Sequence, residues 1–516
     1  MRYEPVWTGA QIHSAEAPLL RAGEPLMRRA AWGLAQHVLS LLGGQAYGRR
    51  VVGLIGSGNN GGDGLWALAL LRRRGVDARA VLVRQRAHPE GLAAFRAAGG
   101  RVVQELEADA DVVIDAILGT GFRGEFQAPE LPDRALVVAC DLPSGVDADT
   151  GQVRGTAIQA DHTVTFGGLK TGLLVGEGGL RSGQLHLVDI GLGPQLPPPD
   201  AHCVAAGAAR ETMGEVEGDR EAAHDTSRTP MDSADLREVS GAPVSQAATL
   251  HMRPPVGPGP LLRGPAPGAH KYSRGTVHVV AGSAQYPGAA VLSVGATVRT
   301  GVGMVTFQTA QQAADRVISS FPEAVAAAEP SRASAVVVGP GLGEDPAQLL
   351  AAQQAIRWAV QEETPCVVDA SALALVPQLK LSQNILLTPH LGEMRRLLRS
   401  CGHPDLLELL STDPLQAVRS AAERLQATLL LKGPTTIIAS PGGTPILHRG
   451  STPGLATAGS GDVLAGILGA VTATQKAPID QLAAAAAARH VQAARLLDPH
   501  GTGAFGAAQL LEALTV

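Results

Sequence analysis

The sequence predicts an α/β protein built from two three-layer α/β/α domains, each a mostly parallel sheet between helices. Three observations carry this. Short apolar runs alternate with helix-patterned stretches from residue 51 to 190 and again from 275 onward, the pattern of parallel strands joined by crossover helices. Several of these runs end in loops that carry glycine, Asn, Asp or Ser, and open α/β sheets bind ligands at the carboxyl ends of their strands. The alternation stops near 193 and resumes after a stretch that is proline- and glycine-rich at both ends and polar in between. The expected organisation is therefore a first domain over 1–193, a partly disordered linker over 194–268 and a second domain over 269–516.

Composition narrows the function. Apolar residues make up 45% of 516, enough for sizeable cores, but aromatics are only 3%, so base-stacking platforms are excluded. The net charge of −5 leaves no basic footprint for nucleic acid. Cys140, Cys203, Cys366 and Cys401 are far apart and have no zinc spacing, which fits a reducing compartment. The amino terminus has no apolar signal core and no run is long enough to span a bilayer, so no membrane partner and a cytoplasmic location are expected.

In chain order, residues 10–45 are predicted helical, with Leu26, Met27, Trp32, Leu34, Val38 and Leu41 near one face. Strands are predicted at 51–55, 78–83, 112–116, 136–140, 162–166 and 185–190. The first leads into Gly56-Ser57-Gly58-Asn59-Asn60-Gly61-Gly62-Asp63-Gly64, and a helix is expected over 65–74. Glycines let a backbone approach a phosphate, and a helix start offers free N–H groups and a positive dipole end. Asn60, Asp115 and Ser144 add hard oxygens, suited to an alkali or alkaline-earth cation, if the three loops meet. Taken singly, Asp115 reads equally as a cap, and Asp141 and Ser144 as a turn.

In the second half, strands are predicted at 276–281, 304–309, 335–338, 366–369, 385–388, 428–431, 435–439 and 446–448. Helices are expected at 289–300, 346–361, 392–400 and, very alanine-rich, 480–497. Gly459-Ser460-Gly461-Asp462 opens a further apolar helix. Its N–H groups form an anion hole, with the Asp462 carboxylate beside it to take a proton from a hydroxyl under phosphorylation. The alternative for Asp462 is a helix cap, and for His390 a capping or core histidine.

Two stretches carry a specific resemblance. Residues 10–193 resemble the epimerase domain of the bifunctional NAD(P)H-hydrate repair enzymes through Gly58 to Gly64, Val113-Ile114-Asp115-Ala116 with Gly119-Thr120-Gly121, and Asp141-Leu142-Pro143-Ser144-Gly145. The resemblance implies a Rossmann-like fold. It implies a nucleotide-hydrate site at Asn59, Asn60, Gly61, Gly62, Asp63, Gly119, Thr120, Gly121, Phe122, Arg123, Gly124, Glu125 and Asp141. It also implies a potassium ion (K+) on Asn60, Asp115 and Ser144, with Asp115 as the acid/base.

Residues 270–515 resemble the same family's ADP-dependent dehydratase domain, of ribokinase-like fold. The matching pieces are Gly282-Ser283 with Tyr286 to Ala290, Arg299 to Gly303, Gly339 to Gly343, Thr388 to Met394 and Gly454 to Leu464. The resemblance implies a hydrate site at Ala290, Gly341, His390 and Asp462, Asp462 being catalytic, and an ADP site at Lys432, Gly433, Pro434, Thr435, Thr436 and Gly461 with Mg2+. The expected function is epimerisation of R and S NADH hydrate and NADPH hydrate, then ADP-dependent dehydration of the S form, by a homo-oligomer. Ser371, Pro434-Thr435 and Thr452-Pro453 depart from the family's usual Asp, Ala-Gly and Asn-Ala. The rival reading is a ribokinase-like small-molecule kinase fused to a nucleotide-binding module.

Overall fold

A computed structural model describes residues 2–205, 249–251, 262, 264, 268–450 and 452–515. The chain divides into two compact units, one built on Pro5–Asp200 and the other on Met1–Glu4, Ala201–Gly207 and Pro254–Val516.

β1 (Arg2–Trp7) has its first residues in the second unit and its last in the first, which continues with α1 (Gly9–Arg21) and α2 (Leu26–Leu41). The single helix expected over 10–45 is two, because Gly23 turns at φ +79° and Pro25 follows it. Then come β2 (Arg50–Ile55), α3 (Asn59–Arg73), β3 (Asp77–Leu82), α4 (Pro89–Ala97) and β4 (Arg101–Val103). The chain continues through β5 (Val112–Ala116), β6 (Leu136–Cys140), β7 (His162–Phe166), β8 (Leu169–Lys170), α5 (Gly176–Arg181) and β9 (Gln184–Val188). Two strands fall inside the expected linker, β10 (Ala201–Ala205) and β11 (Thr249–His251). The rest of that segment lies almost wholly outside the described residues.

The sheet of the first unit runs β11-β9-β7-β6-β5-β2-β3-β4, parallel except for β11. The chain leaves β2 toward β3 and β4, then returns to β5 and proceeds the other way. The switch point of this sheet therefore lies between β2 and β5, where ligand crevices form. Val51, Ile55, Leu65, Leu68, Ile114, Val138 and Val164 share one core. Burial of these aliphatic faces, roughly 1.5–3 kcal/mol per large side chain, holds α3 against the sheet.

The second unit contains β12 (Thr276–Val280), α6 (Pro287–Thr300), β13 (Met304–Gln308), α7 (Gln311–Ser320), β14 (Val325–Ala326), β15 (Ala335–Val338) and α8 (Pro346–Gln361). It continues with β16 (Cys366–Val368), β17 (Ile385–Leu387), α9 (Leu391–Ser400), α10 (Leu406–Thr412), α11 (Pro414–Leu425), β18 (Thr428–Leu431), β19 (Thr435–Ala439) and β20 (Ile446–Arg449). Three helices close it, α12 (Ser460–Thr474), α13 (Ile479–Leu497) and α14 (Ala507–Glu512). The order is β14-β13-β12-β15-β16-β17-β18-β19-β20-β10, with β19 antiparallel to both neighbours. Here the switch point is between β12 and β15. Val277, Val337, Val367, Leu386, Val463 and Ile467 sit in its core. Among the described residues, no helix is long and apolar enough to cross a membrane.

Candidate functional sites

In the first unit the glycine stretch is less a turn than a helix start. β2 ends at Ile55 and α3 begins at Asn59, so Asn60 to Gly64 are already helical. A side chain at Gly56 would place its Cβ 1.8 Å from the Ile117 carbonyl oxygen, and one at Gly61 2.1 Å from that of Gly56. The loops after β2 and β5 are thus in backbone contact, which only glycine permits. Gly58 caps α3 with no side-chain hydrogen bond, leaving its first N–H groups available to an anion.

Asp115, Ser144 and Asn60 form one network. The Ser144 amide donates to Asp115 Oδ2 at 2.7 Å and its hydroxyl to Oδ1 at 2.6 Å. The Leu118 amide donates to Ser144 Oγ at 2.9 Å, and Asn60 Nδ2 donates to the Leu118 carbonyl at 2.8 Å. Asn60 Oδ1 is buried and accepts no hydrogen bond among the described residues. An orphaned amide oxygen, a carboxylate and a hydroxyl make a hard, all-oxygen donor set, which fits a potassium ion. Asp115 is fully buried, and burial raises its carboxyl to about 6 against the hydrogen bonds of Ser144 and Ile117. Neither Asp115 nor Ser144 lines the cavity beside them.

That cavity, about 660 Å3, lies at the switch point. Of the expected residues, Asn59, Asn60, Asp63, Gly119, Thr120, Gly121, Phe122, Arg123 and Asp141 line it. Gly61 and Gly62 are buried behind it, and Gly124 and Glu125 are exposed outside the lining. Sequence reading missed Glu16, His13 and Arg84, which also line it. It missed Lys170 as well, 1% exposed, whose Nζ donates to Asp141 Oδ1 at 2.7 Å, Thr165 Oγ1 at 2.9 Å and the Phe166 carbonyl at 3.1 Å. A lone lysine in an apolar, glycine-rich run was the available signal. Asp141 stands at φ +70°, a conformation rare outside glycine and typical of functional strain. Burial first, then the charges of Asp141 and Glu16, hold the Asp63 carboxyl well above the usual carboxylate range, with Lys170 opposing. Glu16 is raised too, chiefly by burial.

In the second unit the groups gather at the carboxyl ends of β16, β17 and β18. Lys432 Nζ donates to Asp369 Oδ1 at 2.7 Å and lies 3.9 Å from Glu393 Oε2. Burial would lower the Lys432 ammonium, but Asp369 and Glu393 outweigh it and hold it above the ordinary lysine value. The Lys432 amide donates to the Pro389 carbonyl at 2.8 Å, which sets His390 beside Lys432. His390 caps α9: its Nδ1 accepts from the Gly392 and Glu393 amides at 3.0 and 3.3 Å, so Nε2 carries the proton. Capping and site membership are therefore compatible.

Gly459, at φ +88°, caps α12 with no side-chain bond; the Ser460 amide donates to the Thr457 carbonyl at 3.3 Å, which leaves the Gly461 and Asp462 N–H groups of the first turn open. A Cβ at Gly461 would lie 3.5 Å from Lys432 Nζ and 3.9 Å from Asp369 Oδ2, so the helix start, the lysine and the aspartate meet. Asp462, half-buried, is raised to about 7 by burial and then by the Asp369 charge, with Lys432 opposing. Across the switch point, Gly341 turns at φ +64° against Ala289, and the Gly282 amide donates to the Pro340 carbonyl at 2.7 Å, beside buried Ala290. Gly433 and Pro434 are exposed, and Thr435 and Thr436 begin β19. Asp369 and Glu393 are the groups whose roles sequence reading left unassigned.

Residues 277–515 match the family described as NAD(P)H-hydrate dehydratase, and residues 23–172 that described as YjeF-related protein N-terminus. The bifunctional NAD(P)H-hydrate repair enzyme of Mycobacterium leprae is 39% identical over 488 residues, covering 90% of this chain and 88% of its own. That of Synechocystis sp. is 31% identical over 540 residues, covering 97% and 92%. Among solved structures, the ADP/ATP-dependent NAD(P)H-hydrate dehydratase of Bacillus subtilis is 27% identical at a TM-score of 0.42, covering 49% of this chain and 91% of that one.

Proposed function

The chain belongs to the family of bifunctional NAD(P)H-hydrate repair enzymes, and from that premise we propose how its two sites divide the repair of a hydrated nicotinamide nucleotide. The first unit interconverts the R and S hydrates. The second phosphorylates the ring hydroxyl of the S form from ADP, yielding AMP, and phosphate then leaves to restore NADH or NADPH. Hydroxide is a poor leaving group and phosphate a good one.

One observation carries the reading. Each unit has a glycine-capped helix start open to phosphate and, beside it, a carboxyl that burial and neighbouring carboxylates raise above the usual carboxylate range. In the first unit, Asp63 is the proton donor and Asp141, paired with Lys170, the anion. Epimerisation requires the hydroxyl to leave one face as water and water to add to the other. Asp63 gives the proton that makes the leaving water and recovers one when water returns. Asp115, sealed behind Ser144, is assigned to the ion rather than to proton transfer. Asn60, Asp115 and Ser144 would hold a potassium ion, which would supply positive charge among the loops after β2, β5 and β6.

In the second unit, Lys432 and the α12 amides receive the transferring phosphoryl group, and Asp462 takes the proton of the attacking hydroxyl. Mg2+ would be held by Asp369 and would neutralise the ADP phosphates. The test is direct. The pure protein is given mixed R and S NADH hydrates with and without ADP, and NADH absorbance is followed. Absence of NADH with ADP present removes the dehydratase reading. Recovery that halts at the S fraction, after subtraction of spontaneous epimerisation, removes the epimerase reading.

Arg84 gives a second expectation. It lies on the cavity wall just past β3, where dinucleotide folds read the ribose, with arginine suiting a 2′-phosphate. Arg84→Ala should raise KM for NADPH hydrate roughly tenfold, as for a lost charged hydrogen bond, and spare NADH hydrate. Equal losses with both substrates would move Arg84 to the diphosphate.

A further inference from the structure

The first unit holds a cluster of histidines that neither site uses. His37 on α2, His162 on β7 and His186 on β9 have ring nitrogens that all lie within 4.8 Å of one another. We propose that these three imidazoles form a binding site for a late first-row divalent cation, Zn2+ in the first instance, that clamps α2 to the sheet.

The backbone dictates the convergence. β7 and β9 are parallel neighbours in which His162 pairs with Gln184. His186, two residues on, therefore projects from the same face as His162. α2 covers that face through Leu34 and Val38, and His37 lies between them on the helix. His162 Nδ1 and His186 Nε2 are 3.0 Å apart, close to the separation of two ligands on one tetrahedral ion. Imidazoles sharing such an ion at roughly 2.0–2.1 Å hold their ring centres about 5 Å apart. The His162–His186 and His162–His37 centres are each 5.2 Å apart. Only the His37–His186 pair, at 3.8 Å, must open to receive the ion.

The donor set selects the metal. Three neutral nitrogens and no carboxylate suit Zn2+, Ni2+, Co2+ or Cu2+ and disfavour Mg2+ and Ca2+. His37 and His186 are buried, whereas His162 is half-buried, which gives the ion a path in and a fourth position for water. Binding exchanges the proton shared by His162 and His186 for the ion. That proton moves to the other nitrogen of its own ring, and no net charge other than the metal's is added.

The site is distinct from the cavity. Phe166 lines the cavity and is four residues along β7 from His162, about 13 Å at roughly 3.3 Å per residue. His162 opens β7 and His186 lies mid-strand on β9 opposite Val164, so the cluster sits on the face of the sheet, away from the loops at the strands' carboxyl ends that would hold substrate. Its expected role is structural, joining a helix to two strands that are distant in sequence.

The full-length protein, stripped with a chelator, is titrated with Co2+ and then Zn2+. One Co2+ per chain is expected, with visible absorption of nitrogen and oxygen ligation and no sulfur-to-cobalt band, and Zn2+ should displace it. Saturating Zn2+ should raise the unfolding temperature of the first unit. His162→Asn, at the most exposed of the three positions, should abolish both effects while retaining a cooperative unfolding transition. His37→Gln provides an independent removal of a ligand. Cobalt binding that is equal in wild type and His162→Asn, or a sulfur band placing the ion on a cysteine, would overturn the proposal.

Discussion

Asp462→Asn is expected to lower ADP-dependent recovery of NADH by about 10²–10⁴-fold, the range for removing a general base, while R–S epimerisation continues unchanged. The substitution keeps the side chain's size and its place in the first turn of α12, so the anion hole survives. What it removes is the proton acceptor. Burial, followed by the nearby Asp369 charge, raises that carboxyl to about 7, against the pull of Lys432. The sign of the pH dependence follows. A base acts when deprotonated, so kcat/KM of the dehydratase should rise as pH passes upward through about 7 and then level off. The Asn variant should lose that limb of the profile. Retained recovery with the limb intact would remove Asp462 from the mechanism and leave Lys432 and the helix start to act by charge alone. Assaying both reactions on one preparation separates a chemical loss from a folding loss, since the epimerase site lies in the other unit.

Much of this arrangement was legible in the sequence because its signals are local. β5, β6 and β7 fall on the predicted residues, since a parallel strand buried on both faces must be a continuous apolar run. The glycines of Gly56 to Gly64 were visible too, but α3 begins at Asn59, well before the expected 65, because a glycine-rich first turn lacks the apolar periodicity that marks a helix. β1 and β8 were missed because each pairs with a strand far away in sequence and is short or polar. Site residues divide the same way. Asn60, Asp63 and Asp141 sit in motifs, whereas Lys170, Glu16 and Arg84 reach the cavity through tertiary packing and carry no neighbouring pattern. The histidine cluster is the extreme case. His37, His162 and His186 are spread across the first unit, and the register of β7 on β9 together with the packing of α2 brings them together.

Lys170→Met is expected to destabilise the first unit by about 3–5 kcal/mol, the cost of leaving a buried ion partner unpaired, and to suppress epimerisation even where the unit remains folded. Lys170 is almost fully buried and makes its closest contact with Asp141, so its removal takes away the carboxylate's buried ion partner close to Glu16 and Asp63. The Lys170 charge that opposes the raised Asp63 and Glu16 carboxyls would be gone as well. A second substitution separates stability from chemistry. Asn fits the φ +70° backbone at 141 better than an aliphatic residue does, so Lys170→Met with Asp141→Asn removes both charges without adding strain. The double variant should recover most of the lost stability in thermal unfolding and none of the epimerase activity. If it recovers activity along with stability, the Lys170–Asp141 pair serves the fold alone and proton transfer belongs to Asp63 or Glu16. If neither returns, the pair's contacts with Thr165 and Phe166 are what the loop after β6 requires. Stability of the second unit and dehydration of S hydrate supplied directly should be unaffected in every case, because those residues lie in the other compact unit.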